Sequence, residues 1–466
     1  MNTLRTFLVA PLFTATLISC APDIKEFDTP LAPLKPQFSQ TGQQPLNEKW
    51  WQAFNDPQLN QLIDTALTKN FNLLAAYNRL EHAQLVTNKS YADLFPSINA
   101  GFSGQESFQN SGNQGQFSLG LDLSYEVDLW GRIRANTQAA ELDSRALAED
   151  VKTIALSLST EVATAWYRLI EQRSQLKLLE QQIKTNTDNV KLLTVRFAGA
   201  KASAADLFQQ QQILEASIGS KAMVEANIRI FIHQLAILTG HSPNLFTAPI
   251  QFTLPNLPKK PATGLTTKLI QRRPDLRRRY YRIQAADQRI AAAIADRFPK
   301  LSLTANINTN SAPNLQSLFN NWLATLAGNL ILPILDGGRR VAEVNKKRTL
   351  VKEQLNQYSA QLQTAIKEVE DALIQEQQQQ KLTTSLEKQL QLSKKATKQI
   401  RTRYMYGNED FLRVLSIQLS QQALERQSIL AQRQLIEFRL QLYRALAGGW
   451  SLSPSIIKNQ QDTNDG

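Results

Sequence analysis

The chain has a single cysteine, Cys20, which excludes an intramolecular disulfide and any zinc site built from several thiolates. Its three histidines, His82, His233 and His241, lie far apart and form no H-E-x-x-H pattern, so no metal centre is expected. There is no Gly-x-Ser-x-Gly elbow, Gly-x-Gly phosphate loop or Walker lysine. The chain therefore reads as a protein with no catalytic residues and no cofactor, not as an enzyme. Glycine and proline are scarce, 18 of each in 466 residues, so turns are few and elements long. Beyond the amino-terminal segment no apolar run reaches the ~18 residues that a membrane-spanning helix needs. Acidic residues are outnumbered, 40 against 52, for a net charge of +12. The basic residues are dispersed except at Arg272 to Arg282, so no nucleic-acid partner is expected. With 42% hydrophobic residues the chain is not intrinsically disordered.

What is present begins with a sorting signal. Arg5 precedes a short apolar run, Phe7 to Ile18, too short to span a bilayer as a helix, and residues 1–19 read as a signal peptide. Leu17-Ile18-Ser19-Cys20 looks like a bacterial lipobox, at which Cys20 is lipidated, as by palmitate. Ala21 rather than Asp follows, which by resemblance to lipoprotein sorting favours the outer membrane. Residues 20–46, rich in proline, form a lipidated extended leader.

The remainder repeats itself. Ala92-Asp93-Leu94-Phe95-Pro96 recurs as Ala295-Asp296-Arg297-Phe298-Pro299. Asp128-Leu129-Trp130-Gly131-Arg132 is echoed by Asp336-Gly337-Gly338-Arg339, Arg196-Phe197 by Arg403-Tyr404, and Leu238-Thr239-Gly240 by Leu446-Ala447-Gly448. Landmarks in one order at nearly one spacing indicate two internal repeats, 47–254 and 255–452, followed by a polar tail, 453–466.

Within each repeat the hydrophobic period changes. From Phe117 to Leu129 every odd position is apolar and every even one polar or glycine, which makes a strand with two unlike faces. Ile98, Ala100 and Phe102 alternate before it, and the turn-rich stretch from Gly104 to Gln116 joins the two as a hairpin over about 97–129. The second hairpin spans about 300–335, with a turn at Ser311-Ala312-Pro313-Asn314 and weaker alternation from Trp322 to Leu335. Helical periodicity follows each hairpin, in helix pairs over about 131–240 and 337–447. Val162, Leu169, Leu176, Ile183, Val190 and Phe197 recur every seventh residue, with Leu158, Ala165, Leu179 and Leu193 beside them, as a coiled-coil seam. A helix from Arg132 to Phe197 would reach ~100 Å at 1.5 Å per residue.

Four strands cannot close a membrane barrel, whose smallest examples use about eight, and open edges are not tolerated in lipid. The strands must close by oligomerisation, into eight strands in a dimer or twelve in a trimer. The expected fold is mainly α with a transmembrane β-barrel. The competing expectation is a coiled-coil structural lipoprotein that spans the periplasm with no conducting lumen; the apolar strand face counts against it.

Trp50-Trp51-Gln52-Ala53-Phe54-Asn55-Asp56-Pro57-Gln58-Leu59 resembles the "WW-x-x-F-x-DP-x-L" opening of the outer-membrane-factor lipoproteins of tripartite efflux systems, the NodT and OprM branch of the TolC-like superfamily. Arg272-Arg273-Pro274-Asp275-Leu276 resembles that family's "RRPDI" segment. The resemblance implies a homotrimer in outer-membrane lipid, with four strands per protomer completing a twelve-stranded barrel and long coiled-coil helices forming a periplasmic α-barrel. It also implies docking to a periplasmic adaptor (membrane fusion) protein and an inner-membrane transporter, as the exit duct for small molecules. The family's helix turns at the far end of the tunnel read Arg-Tyr-x-x-Gly and meet the adaptor. Arg403-Tyr404-Met405-Tyr406-Gly407 matches, whereas Arg196-Phe197-Ala198-Gly199 is one residue short. Aspartates often ring the pore just past the second turn; Arg413 and Ser416 stand at those positions here. The gate candidates are Asp206, Glu409, Asp410 and Arg413, and an Asp206–Arg413 pair within or between chains is expected to hold it shut.

Overall fold

The structure is a computed structural model that describes residues 35–109, 112–311 and 322–446. The signal peptide, Cys20, residues 20–34 of the leader, residues 312–314 of the second turn and the tail at 453–466 lie outside the described residues.

Helices α1 (Pro57–Lys69) and α2 (Phe71–Ala92) precede strands β1 (Ser97–Gln109) and β2 (Gly112–Val127), which lead into α3 (Arg132–Ala198) and α4 (Ala204–Leu238). The same order follows in α5 (Thr266–Arg272), α6 (Pro274–Ala295), β3 (Lys300–Ser311), β4 (Trp322–Ile331), α7 (Arg339–Met405) and α8 (Phe411–Ala445). The chain is mainly helical, and α3 and α7 each run for 67 residues. It divides into two compact units, and each takes segments from both halves of the sequence.

One unit comprises Leu80–Leu147 and Arg278–Ser359 and holds the sheet. Its four strands form an antiparallel meander in the order β1-β2-β3-β4. Register decides what each face carries. Ile98, Leu123, Ala305 and Leu326 stand in one row across the strands, and Ala100, Leu121, Ile307 and Ala324 in the next. Between these rows, on the opposite face, run Asn99, Asp122, Asn306 and Thr325. The apolar face is bare: Ile98, Leu121 and Leu326 are all exposed, the last by 80%. β1 and β4 are the outer strands of the meander, so each has an edge with no strand beside it among the described residues.

Two boundaries differ from expectation. Glu106 pairs with Gly115 and Ser107 with Gln114, so the ladder continues through the stretch read as a turn. The main chain pairs whatever the side chains are, and polar or glycine positions hide a strand from a reading based on alternation. At the other end β2 stops at Val127 and not Leu129, because Asp128 leaves the ladder to accept hydrogen bonds from the Ile133 and Arg134 amides, capping α3. Beside it the Trp130 indole donates to the Pro299 carbonyl at 2.8 Å and stacks on Phe298, tying the first strand-to-helix junction to the start of β3. Asp336 does the same work for α7, accepting from the Gly338 and Arg340 amides. Below the sheet, Ala286 and Ile290 of α6 pack on Val351 and Leu355 of α7.

The other unit comprises, among the described residues, 35–79, 148–277 and 360–446. Its core explains both sequence motifs. Trp50 and Trp51 are buried, and Trp50 stacks on Tyr443 with ring centroids 5.4 Å apart. Asp56 caps α1 by accepting from the Gln58 and Leu59 amides, while its second oxygen accepts from the Trp166 indole at 2.8 Å. Asn55 takes a left-handed backbone, φ 50°, to turn the aromatic segment into α1. In the arginine motif Pro274 begins α6, and Arg273 is buried with hydrogen bonds to Asp275, Glu368 and the Ala445 carbonyl. A second buried pair, Arg439 with Glu376, makes two hydrogen bonds of 2.6 and 2.8 Å.

Candidate gate and docking turns

The two helical hairpins end in turns that the unit brings together. After α3, the Ala200 amide donates to the Phe197 carbonyl and the Lys201 amide to Arg196. After α7, the Gly407 amide donates to Tyr404 and the Asn408 amide to Arg403. These are the paired bonds of a Schellman motif, which needs one left-handed residue just past the helix. That residue is Gly407 (φ 76°) in the second turn and Ala200 (φ 52°) in the first. The first turn is thus not one residue short, and Gly199 is not its turning residue; the motif is Arg196-Phe197-Ala198-Gly199-Ala200, with alanine where the second turn has glycine. Matching by the glycine concealed this, since a Cβ at a left-handed position is costly but not forbidden.

The turns share a small core. Leu193 of α3 packs with Ile400 and Tyr404 of α7 and with Phe411, Val414 and Leu415 of α8. The Arg196 guanidinium lies over the Tyr404 ring, 4.4 Å from its centroid, so the two turns touch across the hairpins.

The four gate candidates divide by role. Asp206 completes a capping box at the start of α4: its carboxylate accepts from the Ser203 amide, and the Ser203 hydroxyl accepts from the Asp206 amide. Asp410 caps α8 by accepting from Leu412. Glu409 is held between two arginines, 2.7 Å from Arg413 and 3.8 Å from Arg403. Within the chain Arg413 is therefore paired with Glu409, not with Asp206. The reason is local: Glu409 lies one helical turn before Arg413, whereas Asp206 is engaged by its own helix end.

A feature that apolar periodicity could not reveal lies above the turns. Of the expected seam, Val162 and Leu169 are buried, but Phe197 is 46% exposed. The buried line between Leu179 and Leu193 is polar, made of Gln182, Asn186 and Asn189. Asn186 is the hub: it donates to the Ser217 hydroxyl at 3.0 Å and accepts from Gln418 at 3.1 Å and Gln422 at 3.3 Å. Asn189 donates to the Gln418 side chain at 3.1 Å. Amides joined this way fix the register of α3, α4 and α8 more strictly than leucines would, since any slip leaves buried groups unpaired.

Comparison with known proteins places this arrangement. The sequence profile described as outer membrane efflux protein matches residues 62–241 and 265–448. The chain is 29% identical over 416 residues to the pyoverdine export outer membrane protein OpmQ of Pseudomonas aeruginosa, covering 86% of this chain and 87% of that one. It is 28% identical to outer membrane protein OprJ of the same species, with 97% and 98% covered. Among solved structures, the open state of the Neisseria gonorrhoeae MtrE outer membrane channel superposes with a TM-score of 0.83 at 25% identity, covering 91% of this chain and 97% of that chain.

Proposed function

We propose, from the premise that this chain belongs to the outer membrane efflux protein family, that it assembles as a homotrimer and forms the passive exit duct of a tripartite export system. Three sheets of four strands join edge to edge as a twelve-stranded barrel in outer-membrane lipid. Beneath it, the long helices of three chains line a periplasmic tunnel. A periplasmic adaptor meets the turns at Arg196 to Ala200 and Arg403 to Gly407, and an inner-membrane transporter supplies the small molecules that pass. The two sequence halves act as structural repeats, and Cys20 carries a lipid anchor.

The observation that carries this reading is the sheet. One face carries an exposed apolar row across all four strands, the other carries Asn, Asp, Ser and Thr along β1 to β3 with Thr325 and Asn329 among apolar residues on β4, and two edges lack partners among the described residues. In lipid an unpaired edge is untenable and an apolar face is required, so closure with further copies satisfies both at once. A coiled-coil scaffold has no use for such a face. The gate is assigned to the paired turns, where Glu409 ties Arg403 to Arg413 and Asp206 recurs three times around the axis. Individual exposed pairs contribute only ~0–1 kcal/mol, so closure depends on several acting together.

Reconstitution of the purified chain in planar bilayers tests the reading. A complex of three times the chain mass that gives discrete conductance steps is expected. A monomer that inserts without conductance would overturn it. Cys20→Ser is expected to abolish acyl labelling while the barrel still inserts, because one anchor adds little to a membrane-spanning oligomer.

A further inference from the structure

Near the turns, one enclosed side chain has no use for its hydrogen-bonding groups. Gln209, Gln211 and Gln212 in the first turns of α4 are exposed, but Gln210 among them is completely enclosed. Neither its amide oxygen nor its amide nitrogen has a hydrogen-bond partner among the described residues. Leu207 and Ile213, one helical turn to either side, pack against the cluster of Leu193, Ile400, Tyr404, Phe411, Val414 and Leu415. Asn186 of α3 bonds Ser217 of α4, and in antiparallel helices seven residues onward in one and seven back in the other lead to Leu193 and Gln210. Gln210 therefore stands where the layer of paired amides has given way to an apolar one.

We propose that Gln210 is a conformational device, a side chain whose unmet hydrogen bonds keep the tip of the helical hairpins close to opening. An amide that has left water and gained no partner raises the free energy of the packed layer alone, since any state that opens the layer wets it again. Neither a further copy of the chain nor another protein relieves it while the tip is packed, because Gln210 is enclosed by helices of its own chain. A trapped water does not relieve it either: a stable buried water needs about two to four polar partners, and the cluster beside Gln210 is hydrophobic. An apolar residue of the same length would hold the layer shut about tenfold more firmly. The effect on conduction rests on the assignment of the gate to these turns, whereas the effect on the tip does not.

Hydrogen–deuterium exchange of the full chain reads the tip directly. Gln210→Met keeps the length and removes both polar groups, and it should slow exchange of the amides of 207–214 and 414–418 by about tenfold. Gln210→Leu should do the same with another shape, and Gln210→Glu should speed exchange. Gln211→Met, on the exposed side of α4, should leave it unchanged. Unchanged or faster exchange in both apolar variants would overturn the proposal, since the glutamine would then favour the packed tip. The same variants in planar bilayers separate the two readings: the fraction of time spent conducting should fall in Gln210→Met and rise in Gln210→Glu. If exchange slows but conduction does not fall, the gate lies elsewhere and the device at the tip stands.

Discussion

Ala200 and Gly407 occupy the same left-handed position, the second residue beyond α3 and α7, with φ of 52° and 76° and the same pair of backbone hydrogen bonds around them. Their chemistry is therefore mismatched to a common geometry, and they should respond to substitution with opposite signs. Ala200→Gly relieves the contact of Cβ with the backbone and should stabilise by about 1 kcal/mol, while Gly407→Ala imposes it and should destabilise by a similar amount. Thermal unfolding midpoints of the two variants check this. A fall for both would mean that the first turn does not hold the left-handed residue.

The amide hub makes a second expectation. Asn186→Ala strands the Gln418 and Gln422 donors in a buried layer, at a cost of about 1–3 kcal/mol, while the Ser217 hydroxyl keeps its bond to the Ile213 carbonyl. Asn186→Leu fills the space but strands the same groups, so it should not restore stability. Denaturant midpoints for the two variants decide the matter, and recovery in Asn186→Leu would show that the layer is held by volume alone.

Acid sensitivity should trace to Asp275. Burial opposes its charge, but the hydrogen bond and positive charge of Arg273, the Leu276 amide and the Gln361 side chain together hold its carboxyl below the usual carboxylate range. A depressed native pKa contributes stability that is complete above the unfolded value of about 3.9 and is lost as pH falls through the lower native value. Asp275→Asn should therefore cost about 2 kcal/mol at neutral pH and flatten the decline of stability below about pH 4. An unchanged acid profile would exclude this carboxylate as its source.

Neighbouring positions on β2 should behave unlike each other. Leu121 stands in the apolar row and Asp122 in the polar one. Leu121→Arg should impair assembly by roughly 2–4 kcal/mol per chain near the bilayer midplane, whereas Asp122→Arg should leave assembly intact and alter conductance. Equal tolerance of both would contradict the assignment of faces.

The aromatic and arginine motifs and the strand faces were legible because they depend on side-chain type: Trp50, Asp56 and Arg273 are distinctive residues whose packing or charge must be satisfied. Residues 104–109 were not legible as strand, since main-chain pairing leaves no signature in polar side chains. The Asn186 layer escaped because a buried amide and an exposed one are the same letter, and only its partners on other helices tell them apart. The left-handed Ala200 was hidden by the glycine beside it. Within the chain Arg413 pairs with Glu409 rather than with Asp206, a contact between residues four apart at the start of α8 that side-chain type alone does not single out.

The pairing of Leu121 with Ile307 joins strands that are separated in the chain by a complete long helical hairpin. Each β-hairpin is local, but the seam between them has a high contact order and forms late. Until β3 joins, the first hairpin has its second edge open and its apolar row uncovered, the condition that favours aggregation. A holding chaperone that covers this hairpin before the second arrives would set the yield of assembled channel, so the sheet's meander order makes biogenesis, more than final stability, the step most exposed to failure.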